Sequence, residues 1–209
     1  MQQLYKFIVD GFTSPGSVYM WSILVIAGII LGFIVERVWY LFFKCGAGSG
    51  SFMAGISKYL KAGDFEKAIK YASSLKTPLA KGVTVVLQNR GKSTRNVQKS
   101  VDEVFLTETP KVTRNINILN TLANIATLLG LTGTIFGLML AFDAIANVPA
   151  AQRAQALATG ISVAMSTTLF GLLVAVPTIL VQGVLAGKSD RVVEEMDEKT
   201  TKLINLIEE

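Results

Sequence analysis

The chain has 209 residues, of which 51% are hydrophobic and 17% charged, and its mean hydropathy is +0.48. So little charge at this length points away from a soluble domain and toward a membrane protein. With no histidine and one cysteine, internal disulfides, multi-cysteine metal sites and histidine-based hydrolysis are excluded, so neither an enzyme nor a metal or other cofactor is expected. The net charge of +5 comes without the aromatic-and-basic pattern of nucleic-acid recognition, so no nucleic-acid partner is expected and the charge is read as a topology signal.

Residues 1–17 are a short mixed segment whose charges are Lys6 and Asp10. The apolar run after them is too long for a signal-peptide core and has no small-residue cleavage site, so an uncleaved outer segment is expected. Residues 18–43 form the first long apolar stretch, enough for the roughly 20 helical residues of a bilayer core. Tyr19 and Trp21 at one end, and Trp39 and Tyr40 at the other, suit two membrane–water interfaces. Glu36 and Arg37 near the inner end can snorkel or pair. Gly28 and Gly32, four apart, allow close helix contact. Cys45 opens the run CGAGSGS, which reads as a flexible hinge, with the thiol incidental.

Residues 44–116 hold 13 Lys/Arg against 5 Asp/Glu. Apolar residues recur there at helical spacing: Phe65, Ile69 and Ala72, then Val97, Val101, Val104 and Phe105. Asp64 and Ser93 are placed as helix N-caps, and Pro78 and Gly91 as punctuation. A compact set of amphipathic helices is expected. Residues 117–147 and 157–186 are two further apolar helices, joined by a short outer loop over 148–156 around Pro149 and Arg153. Residues 187–209 are charged yet keep helical spacing at Val192, Met196, Leu203 and Leu206, so they should continue the third helix. The expected fold class is an all-α membrane protein with three transmembrane helices and long cytoplasmic helical extensions.

Orientation follows from charges at the helix ends. Arg37, Lys44, Lys111, Arg114, Lys188 and Arg191 flank one side, against Lys6 and Arg153 on the other. The excess of cations on the inner side places residues 44–116 and the tail in the cytoplasm, and the N-terminus outside.

The last two apolar helices carry an unusual set of polar side chains. Asn117, Asn120, Thr121, Asn124, Thr127 and Thr134 follow three- and four-residue spacing, as do Thr159, Ser162 and Ser166, broadened by Thr167 and Thr168. Such stripes do not face lipid cheaply, so they face another helix or water. Helix packing is one reading, favoured by Gly130, Gly133, Gly137, Gly160 and Gly171 beside the hydroxyls. A lumen is the other.

Two segments carry a resemblance to a known family. GLTGTIFGLMLAF (130–142) and GISVAMSTTLFGLLVAVPT (160–178) resemble the second- and third-helix signatures of the ExbB/TolQ/MotA proton-channel family, and Glu36-Arg37 before Trp39-Tyr40 resembles its first-helix ending. Three spans rather than four favour the ExbB/TolQ branch over MotA. The resemblance implies a homo-pentamer in the lipid bilayer of the bacterial inner membrane. A dimer of a single-span ExbD/TolR/MotB-like partner would thread it, with the partner's membrane aspartate handling the proton. It also implies that Thr134 and Thr168 are pore threonines, on a path that Thr127, Ser162 and Ser166 extend. Hydroxyls suit that task because each can donate and accept without carrying charge. One departure stands out: where ExbB has a glutamate in the third helix this chain has Val163, which raises dependence on the partner's acid.

Asp143, at the outer end of the second apolar helix, is either a solvated interface residue or an acid that attracts cations to the outer mouth. Pro177 is expected to kink the third helix, freeing the carbonyl of Leu173. Gly91-Lys92-Ser93-Thr94 echoes a phosphate loop, but position 86 is Val86 rather than glycine and no strand precedes it. The resulting expectation is a subunit of a proton-driven stator or channel that energises envelope transport or motility. The alternative is a passive membrane scaffold without ion conduction.

Overall fold

The structure, a computed structural model, describes residues 11–13, 16–45 and 48–208. Lys6, Asp10 and the Gly46-Ala47 part of the expected hinge lie outside the described residues. Among the described residues the secondary structure is helical throughout. The helices are α1 (Ser17–Val38), α2 (Ser49–Lys61), α3 (Phe65–Ser74), α4 (Pro78–Gln88), α5 (Thr94–Thr113), α6 (Ile116–Asn147) and α7 (Arg153–Glu208). A π-helical turn, Trp39–Cys45, continues α1, and a 3-10 turn, Ala150–Gln152, leads into α7. The described chain forms two compact units: one of residues up to Val35 with Asn117–Gly183, the other of Glu36–Ile116 with Val184 onward.

The first unit is apolar on its outside. In the part of α1 up to Val35 the buried side chains are Met20, Ile23 and Ile30, while Trp21, Leu24, Val25, Ile29, Leu31 and Val35 are exposed. The same holds for Leu128, Leu131, Ile135, Met139 and Phe142 of α6 and for Met165, Val176 and Leu180 of α7. In water this would be a very large exposed apolar surface. In hydrocarbon it is the stable arrangement, because each helix satisfies its own backbone polar groups. Three helices are long and apolar enough to cross a membrane, matching the three runs read from the sequence. α7, at 56 residues, is more than twice as long as a bilayer core needs, and it passes through Pro177 and residues 187–208 without a break. Among the described residues nothing lies within 4 Å of a Cβ built on Gly28 or Gly32, so the contact their spacing suggests is not made there.

The second unit is amphipathic in the ordinary way. Ile56, Ala72, Val83, Val101, Leu185 and Met196 are among its fully buried side chains, one or more from each helix except the π turn, which adds Leu41. Asp64 caps α3 by accepting from Lys67 N. Thr77 caps α4 by accepting from Ala80 N, and Pro78 takes the first helical position, where its missing N–H costs nothing. Ser93 stands at the N-cap position of α5 with no side-chain cap bond. Between α5 and α6, Asn115 adopts φ 61°, a left-handed conformation that asparagine tolerates better than most residues. Arg114 and Asn115 separate an amphipathic helix from a transmembrane one.

Two local readings change. Ser49–Ser51, expected in a hinge, begin α2. The cause is tertiary: Ser49 Oγ donates to Glu195 at 2.8 Å and accepts from Lys199 Nζ at 2.7 Å. Leu206, expected on the buried face of the tail, is 51% exposed, and Ile204 is buried in its place. The spacing that matters runs Leu185, Ser189, Val192, Met196, Thr200, Leu203, in steps of three or four residues.

Buried charge fixes this unit. Glu108 is nearly covered, and one carboxylate oxygen receives Lys81 at 2.9 Å and Lys111 at 2.6 Å. Burial pushes its carboxyl upward, but the two ammonium groups outweigh it, leaving it below the ordinary value. Glu195 is lowered by the Ser49 hydroxyl and then by Lys199. A carboxylate with a depressed folded value contributes stability that is present above its unfolded value, about 4.3, and is lost as pH falls through the folded one. Thermal midpoints of the wild type should therefore fall below about pH 4.3. Glu108→Gln should cost about 1–3 kcal/mol at neutral pH, because two lysines lose their anion. The gap should narrow as pH drops, and superimposable pH profiles would contradict the assignment.

Candidate functional site

The polar residues of the first unit meet along a seam between α6 and α7, which run antiparallel. Its register can be followed residue by residue. A Cβ on Gly171 would lie 2.8 Å from the Ala126 carbonyl oxygen, and one on Gly130 would lie 3.2 Å from Thr168 Cα. Farther along, a Cβ on Gly137 would lie 2.8 Å from Ala164 N, and one on Gly160 2.8 Å from Ala141 Cα. Backbone touches backbone at both ends of the seam, which only glycine permits at that distance. The helix-packing reading of the glycines is therefore correct for these positions.

The hydroxyls divide by what they donate to. Thr127 donates to Ala123 O at 3.1 Å, Ser166 to Ser162 O at 2.8 Å, and Thr134 to Leu131 O at 2.5 Å. These bonds stay on their own helix, the usual arrangement for hydroxyls in apolar surroundings. Thr168 differs. Its Oγ1 donates across the seam to Gly130 O at 3.0 Å. In an α-helix that carbonyl already accepts from the N–H four residues on, which is Thr134. The Gly130 carbonyl thus accepts both the Thr168 hydroxyl and the Thr134 backbone N–H, while the Thr134 hydroxyl goes to Leu131 O. The carbonyl's second lone pair makes this possible.

The first apolar helix decides which side each residue faces. Tyr19 packs on Phe136 with ring centroids 5.5 Å apart, and Phe12 packs on Phe170 at 5.4 Å. Thr134 and Thr168 each stand two residues before one of these rings, so each lies about 200° around its helix from the face that receives α1 and Phe12. Both threonines are half-buried. Ser166 is on the other flank: it is 2% exposed, with its Cβ 3.4 Å from a Cβ built on Gly11. Ser162 and Thr127 are half-buried, as is Val163. Thr167 is fully buried, its hydroxyl 2.5 Å from a Cβ built on Gly133. Asp143 is exposed near the end of α6, and its carbonyl accepts from Asn147. Pro177 is exposed inside α7.

Sequence reasoning did not single out the Gly130 carbonyl, whose part depends on a partner 38 residues away. Nor did it single out Glu108. Its i,i+3 spacing to Lys111 was a signal, but Lys81 comes from another helix.

Comparison with known proteins agrees with the segments quoted above. The profile of the MotA/TolQ/ExbB proton channel family matches residues 71–198. The chain is similar to a putative biopolymer transport protein, an ExbB homolog of Methanothermobacter thermautotrophicus, with 26% identity over 193 residues, 91% of this chain and 67% of that protein. It is 24% identical over 189 residues to the biopolymer transport protein exbB1 of Vibrio cholerae, covering 89% and 82%. Over 79 residues it is 35% identical to the biopolymer transport protein ExbB of Helicobacter pylori, covering 38% of this chain and 54% of that one.

Proposed function

Because this chain belongs to the MotA/TolQ/ExbB proton channel family, we propose that it is the multi-span subunit of an ExbB/TolQ-type complex driven by the proton-motive force. It sits in the inner membrane with its N-terminus outside and its polar unit in the cytoplasm, and it works with a single-span ExbD/TolR-like partner to energise envelope transport or motility. The observation that carries this reading is the Thr168 hydroxyl bond across the seam to Gly130 O, with Thr134 also on the face turned away from α1. In a ring of five subunits that face would line the lumen, where the hydroxyls could hold water or the partner's carboxylate.

The spans 117–147 and 157–186 contain one acid, Asp143, and it lies near a helix end. A proton path needs a group that can bind and release a proton, and threonine does neither at ordinary pH. The partner therefore supplies the titrating carboxylate, and this chain supplies the hydrogen-bonding wall. One elementary charge crossing 100 mV releases about 2.3 kcal/mol, enough to bias a mechanical step. Thr127 extends the wall along α6, and Asp143 concentrates cations at its outer mouth. Ser166 and Thr167 serve packing.

The passive-scaffold alternative draws on the glycine seam, which would hold a hairpin together whether or not ions move. Native mass spectrometry of the complex in detergent bears on both readings. A homo-pentamer carrying two copies of a small single-span protein is expected, and a stable monomer would remove the lumen altogether.

A further inference from the structure

In the second unit, a cavity of about 310 Å³ is lined where the first apolar stretch ends and the second begins. Its cations are Arg37, Lys44, Lys76, Lys81, Lys111 and Arg114, and its acids are Glu36 and Glu108. Six cations face two carboxylates, an excess of four positive charges in one concavity. Some of this charge is committed. Arg37 is 3% exposed, paired to Glu36, and donates to Lys111 O at 3.2 Å. Lys81 and Lys111 share one oxygen of Glu108 while their own side chains remain about half exposed. Glu108 thereby holds two ammonium groups at the cavity wall without neutralising both. Lys44 lies over the Tyr40 ring at 5.3 Å. Lys76 and Arg114 are exposed and, among the described residues, make no ion pair with a carboxylate.

Such a cluster repels itself unless an anion enters it. The anion should offer several strong acceptors, since both guanidinium and ammonium donors converge, and a phosphate group meets that need. The surroundings favour one carrier. Trp39 and Phe43, beside Tyr40 and Lys44, are 68% and 71% exposed, as aromatic side chains at a headgroup boundary are. We propose that this cavity is a phosphate-binding site that takes the headgroup of an acidic phospholipid. The assignment does not depend on ion conduction and would stand if the channel reading failed.

The test uses the full chain, purified as its oligomer in detergent, titrated with phosphatidylglycerol, with phosphatidylcholine and with inorganic phosphate, and followed by native mass spectrometry. Phosphatidylglycerol should be retained in preference to phosphatidylcholine, and millimolar phosphate should not displace it. At about fivefold per charge near a membrane surface, Lys76→Ala combined with Arg114→Gln should weaken retention about 25-fold. Lys99→Ala, an exposed cation outside the cavity, should leave it unchanged. Both altered side chains are exposed, so the double variant should keep the wild-type thermal midpoint, which separates loss of the site from loss of the fold. Equal retention of the two lipids, or wild-type retention by the double variant, would overturn the proposal. Displacement of the lipid by inorganic phosphate would overturn the lipid assignment in favour of a soluble anion.

Discussion

Gly137→Ala is expected to strip most of the folded, assembled protein from the membrane, whereas Gly28→Ala should leave its amount unchanged. The two substitutions add the same carbon to helices of similar composition. At Gly28 the added Cβ meets nothing within 4 Å among the described residues. At Gly137 it would lie 2.8 Å from Ala164 N and 2.9 Å from Ala164 Cα. Those are backbone atoms, with no rotamer to turn aside. The helices must separate, and separation also loosens the neighbouring contacts at Gly130, Gly160 and Gly171. Overpacking of this kind costs about 1–3 kcal/mol, and Gly137→Val should cost more. The amount of detergent-resistant oligomer and its thermal midpoint are the readouts. Equal losses for Gly28→Ala and Gly137→Ala would mean that helix propensity, not the seam, sets the effect.

Thr168→Val and Thr134→Val should separate assembly from work. Valine nearly matches threonine in shape but lacks the hydroxyl. At Thr168 the change removes the bond to Gly130 O while leaving that carbonyl its intrahelical partner, so the cost to stability is about 1 kcal/mol. The oligomer should survive. Driven work is a different matter. If the hydroxyl helps to hold water or the partner's carboxylate during proton transfer, loss of one such hydrogen bond from the barrier slows turnover about tenfold. Thr168→Ser should restore most of it. Thr167→Val is the informative contrast: Thr167 is fully buried against Gly133, so its loss should reduce assembly and work in parallel.

The elements that could be read in the sequence were those set by local composition. The three spans followed from run length, and α3 and α5 of the second unit followed from the 3.6-residue spacing of Ala72, Val97 and Val101. Asp64 as a cap needed only its neighbours, whereas Pro78, read as punctuation, is the first residue of α4. The resemblance in 130–142 and 160–178 pointed to Thr134 and Thr168 before their geometry was known. What stayed hidden depended on partners distant in the chain. Ser49 looked like part of a hinge because Glu195 and Lys199, which anchor it, lie 146 and 150 residues away. Ser166 was indistinguishable from Thr168 by spacing, and only the tertiary packing shows that Ser166 is buried beside Gly11 while Thr168 is half-buried and bonds across the seam. The π turn Trp39–Cys45 has the apolar and aromatic composition of the helix it continues, so periodicity gave no sign of it.

Proton flux into sealed proteoliposomes, followed with an enclosed pH dye under an imposed potential, reaches the proposed function most directly. Vesicles carrying this chain alone should be as tight as empty ones, since the spans 117–147 and 157–186 hold no acid other than Asp143, near a helix end. Vesicles carrying the chain with its co-purified single-span partner should conduct, and Thr134→Val with Thr168→Val should reduce that flux about tenfold or more. Flux through the chain alone equal to that of the complex, or an undiminished flux in the double valine variant, would contradict a path built from this chain's threonines and its partner's carboxylate.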